Sequence, residues 1–270
     1  MALSITVRLR GGRYDAAYPA DRMEWPPHPA RLFCALLASA EHDVAADGHA
    51  ADTAALHWLE RAGPPLVMAA PVEQVRESVR EGFVVANATE RGGGSTAWPG
   101  RTNKWRSHHG ALPPDDQVAF VWPDACPDDG VLWRLPRLAR RVPYLGRATS
   151  PVEVEIHDEE IKPRESWTTY RPTRIGTPGS IVLRVPYPGY TDQLRDAYAQ
   201  GQRAWEMSRA IAYTAAVDEM LPSAVPAAGG PYGEFLVWPL ERGRVPVQGD
   251  RLLAITDALR RAVINRVADP

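Results

Sequence analysis

Two stretches of alternation, Leu3–Leu9 and residues 152–156, constrain this chain most, because apolar side chains at every second position suit a half-buried strand and no other regular element. Ser4, Thr6 and Arg8 separate the apolar residues of the first, Glu153 and Glu155 those of the second. A sheet is therefore required, and the residues between must supply what covers it. Leu32, Phe33, Leu36, Leu37 and Ala40 recur at helical spacing behind Pro29, a residue suited to a first helical turn. Residues 52–62 read as a second helix, capped by Asp52 or Thr53 and packing through Leu56 and Leu59. Residues 66–70 and 82–86 read as extended, with the polar residues 73–80 between them as a loop, and 117–122 as a further strand. A third helix over 131–142 puts Leu135, Leu138 and Val142 on one face and Arg134, Arg137 and Arg141 on an adjacent one, a stripe of the kind that usually faces solvent.

Without an excursion at 87–114, the order reduces to βαββαβ, the α+β, ferredoxin-like topology that RNA-recognition motifs share. The aromatic sheet signature of those motifs is missing from Leu3–Leu9, so base stacking on the sheet is not expected. The excursion carries Gly92-Gly93-Gly94 and almost no aliphatic residues. Within it, residues 101–109 carry Arg101, Lys104 and Arg106 without an acid, together with Trp105, and Trp98 lies just before them. That mixture joins phosphate neutralisation to a stacking surface, as single-stranded nucleic acid requires; the alternative is a loop whose tryptophans pack back on the body.

Residues 142–152, Val-Pro-Tyr-Leu-Gly-Arg-Ala-Thr-Ser-Pro-Val, form a corner between the third helix and the strand after it. Pro143 stops the helix, Gly146 permits a turn, and Ser150-Pro151 sets the direction of the next strand. The amides and the Arg147 guanidinium can hold a phosphate there, or the corner is a plain connection with a surface arginine. Later residues are less regular. The stretch 162–178 is basic and proline-interrupted, 181–185 strand-like, and 191–205 helical behind a Thr-Asp cap, continuing after a break to 221. Residues 235–238 read as a strand and 251–267 as a final amphipathic helix. The expected plan is a core at 1–160, a thumb inserted at about 87–114, and a C-terminal extension at 161–270.

At 44% hydrophobic and 24% charged residues the chain is globular. No apolar run approaches the roughly 18 residues of a membrane span, and a cytoplasmic protein is expected. Cys34 and Cys126 fit neither a disulfide framework nor a zinc site, and the acidic residues show no ligand spacing, so no metal or cofactor is expected. A net charge of −2 confines any RNA contact to a local patch. Only Lys104 and Lys162 of the 31 basic residues are lysines. Arginine suits bidentate phosphate contacts, although a GC-rich genome gives the same bias.

Several segments, in this order, resemble the Csb-two family, the fused Cas-five and Cas-six proteins of type I-G (formerly I-U) CRISPR systems: Trp25-Pro-Pro-His-Pro-Ala-Arg-Leu-Phe-Cys-Ala-Leu36, the end Val121-Trp122-Pro123, the corner 142–152, Leu183-Arg-Val-Pro-Tyr-Pro-Gly189 and Ala258-Leu-Arg-Arg-Ala-Val263. The resemblance implies a RAMP fold that caps the foot of a Cascade effector and holds the 5′ handle of CRISPR RNA. Its implied partners are Cas-seven-type backbone subunits, a Cas-eight-type large subunit, target DNA near the PAM and a Cas-six domain or protein. The family's processing nuclease belongs to a Cas-six half that the residues to Pro270 do not include, so a non-catalytic Cas-five portion is expected. Ala148 stands where the corner of the family is expected to carry a serine.

The RNA-binding residues expected are Arg31, Trp98, Arg101, Lys104, Trp105, Arg106, His108, Gly146, Arg147 and Ser150. Arg31 would add to an anion site at its helix or serve an internal salt bridge. The competing expectation is a metal-independent endoribonuclease using the adjacent pair His108 and His109 as base and acid.

Overall fold

The protein's computed structural model describes residues 2–16, 22–42, 46–87, 94–95, 98–174, 177, 179–202, 204–215 and 256–257. By contact the chain divides into Met1–Asp218 and Glu219–Pro270. Of the latter only Thr256 and Asp257, both helical, are described, so the strand expected at 235–238 and nearly all of the helix expected at 251–267 lie outside the described residues.

In Met1–Asp218 the elements are β1 (Leu3–Leu9), β2 (Tyr14–Asp15), α1 (Pro29–Glu41), α2 (Ala46–Arg61), β3 (Leu66–Ala69), β4 (Arg76–Asn87), β5 (Gly94–Ser95), β6 (Trp98–Pro99), β7 (Arg101–Leu112), β8 (Gln117–Trp122), α3 (Asp129–Ala139), β9 (Val152–His157), β10 (Thr168–Thr173), β11 (Ile181–Val185), α4 (Tyr190–Ala199), α5 (Ala204–Met207) and β12 (Arg209–Ala215). The protein is α+β. Among the described residues the largest sheet has seven strands in the order β11-β12-β10-β3-β8-β1-β9, each pair antiparallel.

The alternation in β1 does what its period requires. Leu3, Ile5, Val7 and Leu9 are fully buried in one cluster with Leu32, Phe33 and Leu36 of α1, Leu56 and Leu59 of α2, and Leu135 and Leu138 of α3. Behind the sheet, Trp167 packs on Met68, Ala119 and Val121, and the Ser4 hydroxyl donates to Glu159 O (2.6 Å). A chain segment thus covers part of that second face.

Several elements differ from expectation for identifiable reasons. The polar run read as a loop is the first half of β4, which pairs with β7 over twelve registers from Arg76↔Leu112 to Asn87↔Arg101. Most side chains along this hairpin are exposed, so no apolar alternation marks it, and the excursion is an arm of two long strands. Helix α2 begins at Ala46, which makes Asp52 an interior residue rather than a cap. Asp52 is buried and faces Arg134 (3.6 Å) and Arg141 (3.2 Å), so part of the arginine stripe is an internal ion pair. The proline-interrupted stretch contains β10, and the alanine-rich run read as helix beyond 205 contains β12, a strand between β10 and β11. Neighbouring strands override local propensity there. The start of α4 is capped by Glu60 of α2, whose carboxylate accepts from Gly189 N, Thr191 N and the Thr191 hydroxyl at 2.8 to 2.9 Å. The division drawn at residue 160 coincides with no break in the sheet, since β10, β11 and β12 extend it beside β3.

Candidate nucleic-acid interface

The arm is a β-hairpin, and its period of two separates residues that lie together in the sequence. Lys104, Arg106 and His108 of β7 stand on one face with Arg76 and Arg80 of β4; Arg101, Trp105 and His109 stand on the other with Glu77, Val79, Glu81, Phe83 and Val85. Among the β4–β7 pairs the first face holds no acidic residue; the carboxylate on it is that of Asp15 in β2, opposite Gly110 at the base of the arm. The second is apolar and mixed in charge: Phe83 and Trp105 are 69% and 51% exposed and meet edge to face, with ring centroids 4.9 Å apart. Lys104 and Arg106 therefore lie on the face opposite Trp105, while Arg101 shares the Trp105 face.

The base of the arm is tied to the corner through one buried carboxylate. Asp15 receives Arg13 Nε on Oδ1 (2.5 Å) and the Thr149 hydroxyl on Oδ2 (2.7 Å). Its amide donates to Ser150 Oγ (2.6 Å), and its carbonyl accepts from Arg147 N (2.9 Å). Arg13 also donates to Ser78 Oγ on β4 (2.7 Å), and Gly110 of β7 leaves room for the Asp15 and Arg13 side chains, which a Cβ there would strike. Ser150 is fully buried among these bonds, so its hydroxyl builds the corner and is not presented to a ligand. Arg147 reaches out to hydrogen-bond His108 Nδ1. Burial and then the Arg147 guanidinium, with Arg106 and Arg80 adding and Asp15 opposing, push His108 below the usual imidazole range. A guanidinium only donates, so His108 Nδ1 accepts from Arg147 in this contact. The corner and the basic face of the arm are thus one continuous surface.

A family model described as "CRISPR-associated protein, GSU0054 family" matches residues 3–204. The chain belongs to that family. No curated protein matches this GSU0054-family chain. A crystal structure described as a CRISPR protein from Archaeoglobus fulgidus is 11% identical over 82% of this chain and 88% of its own, with a TM-score of 0.36, a likeness too slight to carry an argument.

The other expected residues of the GSU0054-family chain have varied settings. Arg31 makes a two-point ion pair with the buried Glu24, Nε to Oε1 at 2.5 Å and NH2 to Oε2 at 2.6 Å, which realises its internal salt bridge. Trp98 pairs with Ser95 in a short hairpin, and its side chain lies outside the described residues. Gly146 has φ +80°. His109 turns away from His108 and binds Glu77 Oε1 (2.8 Å). The two imidazoles lie on opposite faces of one strand and do not meet at a single scissile bond. Sequence reasoning missed Arg13, Asp15, Arg76 and Arg80. Arg76 and Arg80 lay at i and i+4 in a run taken for a loop, where even spacing on a strand was the available signal. Among the described residues no group of three or more His, Cys, Asp or Glu is placed to hold a metal. No helix among them is long and apolar enough to cross a membrane.

Proposed function

We propose that this chain is a non-catalytic, cytoplasmic CRISPR RNA-binding subunit, the Cas-five portion of the Csb-two family, which holds the 5′ handle at the foot of a type I-G Cascade complex in antiviral defence. Membership of a CRISPR-associated family supports a role in that defence. The core strand order β3-β8-β1-β9, with helices after β1 and after β8, supports a ferredoxin-like RAMP core. The observation that carries the reading is the row of Arg76, Arg80, Lys104 and Arg106 on one face of the arm, which runs through His108 into Arg147 at the corner. A row of cations along extended strands suits the spaced phosphates of a single strand, and phosphate contacts fix position. The opposite face, with Phe83, Trp105 and Val85 exposed, suits a protein neighbour, here a Cas-seven-type backbone subunit. A Cas-eight-type large subunit, a Cas-six domain or protein, and target DNA near the PAM complete the proposed surroundings.

The test compares the two faces. Replacing Arg80, Lys104 and Arg106 together by alanine is expected to weaken binding of repeat-derived RNA and to flatten the slope of log K against log salt by about 2, at about 0.7 per lost phosphate contact. Arg101→Ala, on the other face, is expected to change both far less. Unchanged affinity and slope in the triple variant would sink the assignment. A single defined RNA cut in EDTA, lost on His109→Ala, would replace it with the endoribonuclease reading.

A further inference from the structure

Beside the corner lies a half-open groove of about 360 Å³, walled by α1, the residues after α3, and β11. Its lining includes His28, Arg31, His42, Arg141, Tyr144 and Arg184, and no carboxylate among the described residues. The carboxylates that pair with Arg31 and Arg141, Glu24 and Asp52, are themselves buried and do not line the groove. Small residues of α1, Ala35 and Ala38, line it as well and leave the space. The volume falls in the range of small-molecule sites, roughly 300–1,000 Å³. The Tyr144 ring is 43% exposed at its rim. Gly146 lines the groove too, and the next residue, Arg147, touches His108 on the arm, so the groove opens beside the basic surface already described.

We infer that this groove is a nucleotide site, in which one phosphate lies against Arg31, Arg141 and Arg184 while the base stacks on Tyr144. Guanidinium groups supply the planar donors that phosphate oxygens accept, and a tyrosine at the rim gives a flat face to any base. With a nucleotide of the handle as occupant, the inference rests on the RNA-binding reading above. It adds that a strand leaving the arm turns past Gly146 and sinks one nucleotide between α1 and the corner. A free nucleoside monophosphate carries the same chemistry.

The test uses the full chain and two variants of different kind. Ala38→Phe fills the groove without removing an ion pair, and Arg184→Gln removes one cation. Each is expected to weaken the affinity for repeat-derived single-stranded RNA about tenfold, the scale of one charge-assisted hydrogen bond or one stacked base, and Arg184→Gln to reduce the salt slope by about 0.7. Isothermal titration with AMP separates the sources: AMP binding lost in Ala38→Phe with RNA affinity unchanged would uphold the site and make a free nucleotide its occupant. RNA and AMP binding both unaltered in Ala38→Phe, while the triple variant of the arm loses RNA, would overturn the groove and leave the RNA-binding reading standing. RNA binding unaltered in the arm variant as well would remove that reading too.

Discussion

Replacing Gly146 by alanine tests whether the corner is held as described. At φ +80° an L side chain costs about 1–2 kcal/mol. A Cβ would also lie 2.5 Å from the Asp15 carbonyl oxygen, well inside contact distance. That oxygen cannot retreat cheaply, because it accepts from Arg147 N at 2.9 Å while Ser150, Arg13 and Thr149 hold the rest of Asp15 at 2.5 to 2.7 Å. Relieving the overlap must stretch this group of bonds, which puts the clash at about 1–3 kcal/mol and the total near 3 kcal/mol. Gly12 provides the control: its φ is +59°, but nothing lies within 4 Å of a Cβ there, so Gly12→Ala should cost only about 1 kcal/mol. Urea unfolding of both variants, read as midpoint shifts at constant m, measures the difference. Equal losses in the two would refute the claim that Asp15 fixes the corner from behind.

Burial, opposed by Glu24 and reinforced by Arg184 and Arg31, pushes His28 down to about 4 from 6.5, so the unfolded chain takes up a proton that the folded protein refuses. Stability is then full above about pH 6.5 and falls by about 3 kcal/mol as pH drops to about 4. Urea melts between pH 7 and 4 check this; His28→Gln should flatten the loss, and a flat wild-type curve would contradict it. Asp52→Ala strips Arg134 and Arg141 of a buried partner; since these arginine side chains are 20% and 36% exposed, the cost should be about 2 kcal/mol, below the roughly 3–5 of a fully buried pair. A thermal melt unchanged by this variant would show that the stripe is solvated after all.

The core was legible where one face of an element is buried and the other is not. Leu3–Leu9, 117–122 and the apolar positions of α1 carry that contrast in their sequence, and their bounds follow closely. The arm was not legible as strands because both of its faces meet solvent over most of its length, which removes the burial difference that makes alternation visible. β12 was hidden for the opposite reason: its alanines suit a helix, and only its position between two other strands decides the matter. In the candidate interface, Lys104, Arg106 and Arg147 could be picked by charge alone. Their separation from Trp105 could not, since it depends on knowing that 101–112 is a strand. The Asp15 tie was out of reach, because it joins residues more than 130 positions apart through polar groups that resemble any others in the sequence.

The footing of the arm has an evolutionary consequence. Among the described residues its lowest rungs, where Gly110, Ser78, Glu77 and His108 meet Asp15, Arg13, Met23 and Arg147, are bound into the folded body. From Glu81↔Ser107 outward the described side chains are almost all exposed, so substitutions there touch little that folding depends on. The outer arm can therefore change its surface while the seven-stranded sheet of the described residues stays the same. Two strands of twelve residues, reaching roughly 40 Å at about 3.4 Å per residue, make this a long variable lever on a fixed pivot.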